Sequence, residues 1–239
     1  DPDAGLVVPR SQTVAGKLVD AAEKSGKLTA FANTPAKSLI VEGGRIKGVV
    51  THRGTIMADH VIVCAGLWGR LIAEMVGEDL PVMPVDHPLT FFGPYNEFEG
   101  TGKDIGYPLL RDQGNSAYMR DTGDPKTTEG GQIEWGYYET TNPRMCHPRE
   151  LLEKHEARLS PSQRDLDMEQ IIEPLERAME LTPILGELGY NEGHSFNGLL
   201  QVSAAGGPSC GESQKVRGLW YCVAIWVKDG PGYGKLIAD

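Results

Sequence analysis

Residues 61–64, Val-Ile-Val-Cys, form an apolar run between the polar pair Asp59-His60 and the small pair Ala65-Gly66. Apolar side chains on both pleat faces predict a short strand covered on both sides, as in parallel α/β sheets. The Ala-Gly exit leaves bare backbone at the carboxyl end of that strand, where open α/β sheets place their ligands. Read alone, the same pair is also the signature of a plain tight turn. Upstream, residues 45–60 hold two stretches of alternating character joined at glycine turns, and residues 36–42 supply a partner, so a three-stranded meander is expected. A helix precedes it, with Ser11 as cap, Val14, Leu18, Ala21 and Ala22 as an apolar stripe, and Gly26 as its end.

The pattern changes near Pro84. Pro81, Pro84, Pro88 and Pro94 alternate with Phe91, Phe92, Tyr95 and Phe98, which predicts a crossing into a second domain and an edge strand over residues 89–93. Alternation recurs at residues 116–121 and 132–138, the mark of an antiparallel sheet. Ser160-Pro161-Ser162-Gln163 reads as a helix start, and Pro174 as the start of a second helix through Leu175, Ala178, Met179 and Leu181. These helices are expected to pack on one side of the sheet. Residues 219–227 read as a long apolar strand, followed by the glycine-rich turn Gly230-Pro231-Gly232-Tyr233-Gly234 and a helix from Lys235. Such a turn offers backbone N–H groups at a positive helix end. It is not a Walker A loop, because Asp229 stands where that motif needs Gly and Leu236 where it needs Ser or Thr.

Composition narrows the chemistry. The 239 residues carry a net charge of -10 with no basic block, which argues against nucleic acid as a partner. No run of about 18 apolar residues is present, so a membrane span is not expected. The four cysteines, Cys64, Cys146, Cys210 and Cys222, are widely spaced, which disfavours a metal cluster or a disulfide scaffold. Cys64 and Cys222 are expected to act as small hydrophobes inside strands. Reduced thiols fit the cytoplasm or the mitochondrial matrix. The histidines show no metal-ligand spacing.

Taken in order, several segments resemble one family. The meander leading into Asp59-His60-Val61-Ile62-Val63-Cys64-Ala65-Gly66 is similar to the second flavin-contacting signature of the glutathione-reductase-type FAD-binding fold. Val8-Pro9-Arg10, Leu67-Trp68-Gly69, Pro84-Val85-Asp86-His87, Ser195-Phe196-Asn197-Gly198, Gly206-Gly207-Pro208 and Ile225-Trp226-Val227 continue the likeness. The chain thus resembles the amine-oxidising branch of the D-amino-acid oxidase superfamily, nearest dimethylglycine and sarcosine dehydrogenases and oxidases. The resemblance implies an α/β (α+β) chain: a partial FAD-binding domain with an inserted antiparallel-sheet substrate domain. The expected boundaries are 1–84 and 191–239 for the flavin portions and 85–190 for the insert. No Gly-x-Gly-x-x-Gly opening is present, so the chain reads as the later portion of a longer flavoprotein, with the earlier flavin-domain portion as its missing partner.

The resemblance also implies roles. The cofactor is FAD, contacted by Ala36, Cys64, Ala65, Gly66, Trp68, Gly230, Gly232, Tyr233 and Gly234. His87 and Tyr118 hold the amine substrate over the flavin and accept or relay its proton. A substrate carboxylate calls for a cation, with Lys235 first, then Arg120 and Arg111. Ser203-Ala204-Ala205 replaces the Thr-Pro-Asp of close relatives. The expected reaction is hydride transfer from a secondary or tertiary glycine-type amine, dimethylglycine or sarcosine, to the flavin. The alternatives are a D-amino-acid or glycine oxidase and a non-catalytic interaction chain without flavin. The electron acceptor stays open.

Overall fold

The computed structural model describes residues 11–103, 105–126, 130–153 and 162–239. Two compact units emerge, one from residues up to Pro81 together with Gly207–Asp239, the other from Val82–Gly206. The expected Val8-Pro9-Arg10 segment lies outside the described residues.

The first unit begins with α1 (Ser11–Lys24), which Gly26 closes in the left-handed region at φ 73. Ser11 is already helical, so the cap position precedes the described residues. The expected stripe is present but open: Val14 and Leu18 are exposed and no residue of α1 is buried. The meander follows as β1 (Ala36–Glu42), β2 (Arg45–Thr51) and β3 (Gly54–Met57), paired in that order. Gly43 and Gly44 both adopt positive φ, 57° and 72°, the requirement of a tight hairpin turn that L residues with a Cβ resist. Next comes β4 (Val61–Val63), then a single 3-10 turn over Gly66–Trp68 and α2 (Gly69–Glu74).

The expectation of a strand covered on both faces, with Cys64 inside it, is corrected. Val63 is buried, whereas Ile62 on the opposite face is 48% exposed and Cys64, beyond the strand, is exposed. Only one face of β4 is covered among the described residues.

The second unit contains β5 (Val82–Phe92), β6 (Leu110–Asp112), β7 (Ala117–Asp121), β8 (Ile133–Tyr137), α3 (Pro148–Glu153), β9 (Gln163–Arg164), α4 (Met168–Leu181), α5 (Ile184–Leu188) and β10 (Phe196–Ser203). Its strands form one antiparallel sheet in the order β6-β7-β8-β5-β10-β9. The expected edge strand at 89–93 is therefore part of an eleven-residue central strand. Parity explains how such a strand tolerates proline. Pro84 and Pro88 share the orientation of Asp86, whose N–H turns away from β10 to the Arg144 carbonyl. Neither proline therefore removes a donor from the β5–β10 ladder.

The predicted helix start at Ser160-Pro161 lies outside the described residues, and Gln163 begins not a helix but the short strand β9. The helix starts instead after Asp167, whose carboxylate accepts the Glu169 N–H. Pro174 lies inside α4 rather than opening a second helix. It forfeits one N–H bond, toward Gln170, while the buried face of Ile171, Leu175 and Ala178 runs past it. That face, with Leu185 of α5, packs on Phe92, Ala117, Met119, Ile133, Trp135 and Tyr137 of the sheet. The unit runs on to Gly206, past the expected boundary at 190, because β10 pairs with β5 along all eight of its residues.

The chain returns to the first unit with β11 (Ser209–Glu212) and β12 (Leu219–Val223), which join β4 in the order β11-β12-β4. The strand expected over 219–227 stops at Val223, where Ala224 turns into the left-handed region at φ 56. A residue with a Cβ pays about 1–2 kcal/mol for that conformation. After one 3-10 turn comes α6 (Gly230–Ala238). The glycine-rich segment is thus the start of the helix and not a loop before it, and Lys235 lies within α6 rather than at its start. Pro231 favours this start because its fixed φ suits the first helical turn.

Candidate active site

Strand alternation divides the six-stranded sheet into two faces. Residues 90, 92, 117, 119, 133, 135 and 137 face the helices. The intervening positions carry His87 on β5, Tyr118 and Arg120 on β7, Glu134 and Gly136 on β8, Tyr138 just past β8, and Arg111 on β6. Register brings them together: Tyr118 lies opposite both Arg111 and Gly136, and Arg120 opposite Glu134.

His87 Nε2 and the Tyr118 hydroxyl are 2.9 Å apart. Either the phenol donates to a bare Nε2 or an Nε2–H donates to the phenol oxygen, according to the imidazole tautomer. Tyr138 packs against the imidazole at a ring separation of 4.4 Å and against Tyr118 at 5.6 Å. Burial pushes the His87 pKa down to about 4; the Tyr137 carbonyl offsets part of this, and the Arg111 guanidinium adds to it. Among the described residues the buried Nδ1 has no hydrogen-bond partner of good geometry. The imidazole is therefore neutral at physiological pH, with capacity to take up a proton. Burial, with Tyr138 and Glu134 nearby, pushes the Tyr118 phenol up and keeps it protonated.

The three cations proposed for a carboxylate have different surroundings. Arg120 donates to Glu134 at 2.6 Å. Burial raises the Glu134 pKa, and Arg120 pulls the other way. Lys235 sits on the exposed side of α6 and pairs with Asp239 at 2.7 Å. Arg111 stacks on aromatic rings, its guanidinium carbon 5.1 Å from the Tyr138 centroid and 6.0 Å from that of Tyr118. Sequence reasoning passed over Tyr138 and Gly136. The available signals were a tyrosine two residues beyond a strand glycine, and the glycine itself, since glycine inside a strand marks a close approach.

The first unit gathers the backbone corners. β4 and β12 pair in parallel, with Leu219 opposite Val61 and Tyr221 opposite Val63. Their carboxyl ends, Cys64-Ala65-Gly66 and Ala224, consequently share one end of the sheet. Gly66 has φ 48, and among the described residues the buried Trp68 indole N–H has no hydrogen-bond partner. Ala36, the other cofactor candidate in this unit, is an exposed residue at the start of β1. In α6, the Gly230 N–H is already bonded to the Val227 carbonyl, and Tyr233 and Gly234 lie within the helix. Gly232 remains in the first turn, where amides lack intrahelical partners.

A family model described as DAO, FAD dependent oxidoreductase, matches residues 1–239. Mitochondrial dimethylglycine dehydrogenase of Homo sapiens is 25% identical over 241 residues, covering 100% of this chain and 26% of that protein. Among solved structures, L-proline dehydrogenase from P. horikoshii matches with a TM-score of 0.66 and 17% identity over 94% of this chain and 53% of that one. Iminodiacetate oxidase (IdaA) from Chelativorans sp. BNC1 matches with a TM-score of 0.65 and 21% identity over 95% of this chain and 53% of that one. The two structural likenesses concern the fold.

Proposed function

This chain belongs to the DAO family of FAD-dependent oxidoreductases, and on that premise we propose that it contributes the substrate sheet and part of the flavin site of an enzyme oxidising a secondary or tertiary glycine-type amine, dimethylglycine or sarcosine. The observation that carries the reading is the 2.9 Å contact between a buried neutral His87 and Tyr118 on the face of the sheet turned away from the helices.

The residues at the shared end of β4 and β12 fit FAD. Ala65 and Gly66 bring no bulky side chain to the corner, and Gly66 is exposed with φ 48, so a flat ring can approach this backbone. Cys64, Ala65, Gly66 and Trp68 would hold the cofactor there, with Gly232 as a further amide donor. Bound FAD supplies the hydride acceptor. The protein's part is acid–base chemistry and positioning. An ammonium has no lone pair to assist departure of a hydride, so the amine must first lose a proton. His87 Nε2, neutral at the working pH, accepts that proton directly or through the Tyr118 hydroxyl. The Arg111 cation and the buried rings disfavour positive charge on the amine and on His87 alike, so His87 and Tyr118 relay the proton onward rather than retain it.

The test is anaerobic bleaching of the flavin-loaded protein by dimethylglycine, sarcosine and D-alanine. Bleaching by the N-methylated glycines in preference to D-alanine is expected. Preference for D-alanine would move the protein to the D-amino-acid oxidases, and a flavin that no amine bleaches would end the catalytic reading.

A further inference from the structure

We propose that Cys64, Cys222 and Cys210 form a three-thiol redox site, in which a hydroperoxide oxidises Cys64, Cys222 closes a disulfide with it, and Cys210 takes over that disulfide by exchange. The site lies wholly within the first unit and goes beyond amine oxidation.

The three cysteines are far apart in sequence, and the sheet β11-β12-β4 lines them up. Cys210 is directly opposite Cys222 in the antiparallel β11–β12 ladder, and the two sulfurs are 4.0 Å apart. On the other side of β12 the parallel ladder ends at Tyr221 and Val63, so one further step sets Cys222 beside Cys64. The Cys64 thiol is within hydrogen-bonding reach of Cys222 as well. Cys222 therefore stands between two other thiols. By strand alternation this row shares the face of Ile62, which is open among the described residues, while Val63, Tyr221 and Val223 are buried on the other. Neighbouring strands lie about 4.8 Å apart, within the roughly 4.4–6.8 Å between Cα atoms that a disulfide bridges. Among the described residues no group of three or more histidine, cysteine or carboxylate side chains is gathered as a metal site. A straight row across a sheet suits sulfur exchange instead.

The thiols differ in their surroundings. Cys64 is exposed, which makes it the entry for an oxidant. Cys222 is half-buried; burial, with the Cys210 and Cys64 thiols beside it, pushes its pKa up to about 12. It is held as a thiol and reacts second. In the first step the Cys64 sulfur attacks the hydroperoxide, the O–O bond breaks, Cys64 becomes a sulfenic acid, and the reduced peroxide leaves as an alcohol carrying the thiol proton. In the second, the Cys222 sulfur attacks the Cys64 sulfur, the S–S bond forms, and hydroxide leaves with the Cys222 proton as water. Two thiols are oxidised for each peroxide reduced. In the third, the Cys210 sulfur attacks Cys222 from the side opposite Cys64, and Cys64 departs with the Cys210 proton and no net redox change. The exchange returns Cys64 to the corner that it opens with Ala65 and Gly66.

The experiment treats the reduced chain with one equivalent of tert-butyl hydroperoxide and maps its disulfides by mass spectrometry of peptides, with thiol titration alongside. Wild type should lose two thiols per peroxide, with Cys64–Cys222 appearing first and Cys210–Cys222 later. Cys146, buried in the second unit, should stay reduced. Cys210→Ser should stop at Cys64–Cys222, and Cys64→Ser should form Cys210–Cys222 at least tenfold more slowly. Cys222→Ser should form no disulfide and leave Cys64 as a sulfenic acid that dimedone labels. A wild type that keeps its four thiols overturns the proposal, as does a Cys210–Cys222 bond formed equally fast without Cys64 or a map that pairs Cys146. The first readout uses wild type alone, so a variant that fails to fold does not blunt it.

Discussion

A Cβ on Gly136 would overlap the ring of Tyr118, so the missing side chain at position 136 is what allows that ring to lie across β8 with its hydroxyl on His87. The overlap involves the far end of the tyrosine, the part free to swing aside. Gly136→Ala should therefore leave the fold intact and move the hydroxyl off the imidazole. We expect a roughly 10- to 100-fold slower flavin bleaching by the preferred amine, within the range of one misplaced acid–base group. Retained near-UV circular dichroism would show that the fold survives; unchanged bleaching would separate the tyrosine from the chemistry.

Tyr118→Phe removes the hydroxyl and leaves the ring. His87→Asn removes the proton acceptor. Each should slow bleaching by about 100-fold or more, and the double variant by little beyond the worse single one, since the two act as one relay. Additive losses in stopped-flow traces would mean that the residues work separately.

His87 gives a signed pH prediction. Its folded pKa, about 4, lies below the ordinary 6.5, so the unfolded chain binds a proton first as the pH drops. The stability associated with the neutral buried ring is complete above pH 6.5 and is lost as the pH falls from 6.5 through 4, in all by roughly 3 kcal/mol. Urea midpoints between pH 7 and pH 4.5 should show this decline, and His87→Phe should flatten part of it.

Glu78 tests the first unit. Burial alone would raise its pKa, but hydrogen bonds from Ser213, the Gln214 N–H and Tyr221, with Lys215 nearby, outweigh burial and hold it below the usual carboxylate range. That contribution is present above the ordinary carboxylate pKa and disappears as the pH falls through the lowered one. Glu78→Ala leaves the Tyr221 hydroxyl without its acceptor and should cost about 1–3 kcal/mol in denaturant melts.

Arg120→Met strands the buried Glu134 carboxylate and should destabilise by about 3–5 kcal/mol. Adding Glu134→Leu should restore most of the loss, because a buried ion pair replaced whole by apolar groups is often near neutral. A double variant no more stable than the single one would show that the pair supports the sheet by more than charge balance.

The parts of the fold that were legible in the sequence are those with local causes. The meander follows from Gly43 and Gly44, which fix a tight turn and with it the register. The Ala65-Gly66 corner follows from four apolar residues meeting two small ones. The misread elements depend on partners distant in sequence. Pro84 and Pro88 suggest an edge, and only the direction of the Asp86 N–H toward Arg144 explains their place in a central strand. Ala224 carries no turn signal of its own, yet it ends β12 four residues before the expected point. Likewise His87, Tyr118 and Arg111 came from a family likeness, whereas Tyr138, Gly136 and the stacking of Arg111 on the two tyrosines required the register of β5, β6, β7 and β8. Side chains that converge across four strands leave no fixed spacing along the chain.

The parallel pairing of β4 with β12 joins residues 61–63 to residues 219–221, with the whole Val82–Gly206 unit between them in sequence. Contacts of such long range close late in folding, because the loop entropy must be spent before they form. During synthesis the Ala65-Gly66 corner therefore waits for its neighbouring strand until residues 219–223 have emerged. A chain interrupted between Tyr138 and Leu219 carries His87, Tyr118 and Tyr138 and yet has only one of the two strand ends.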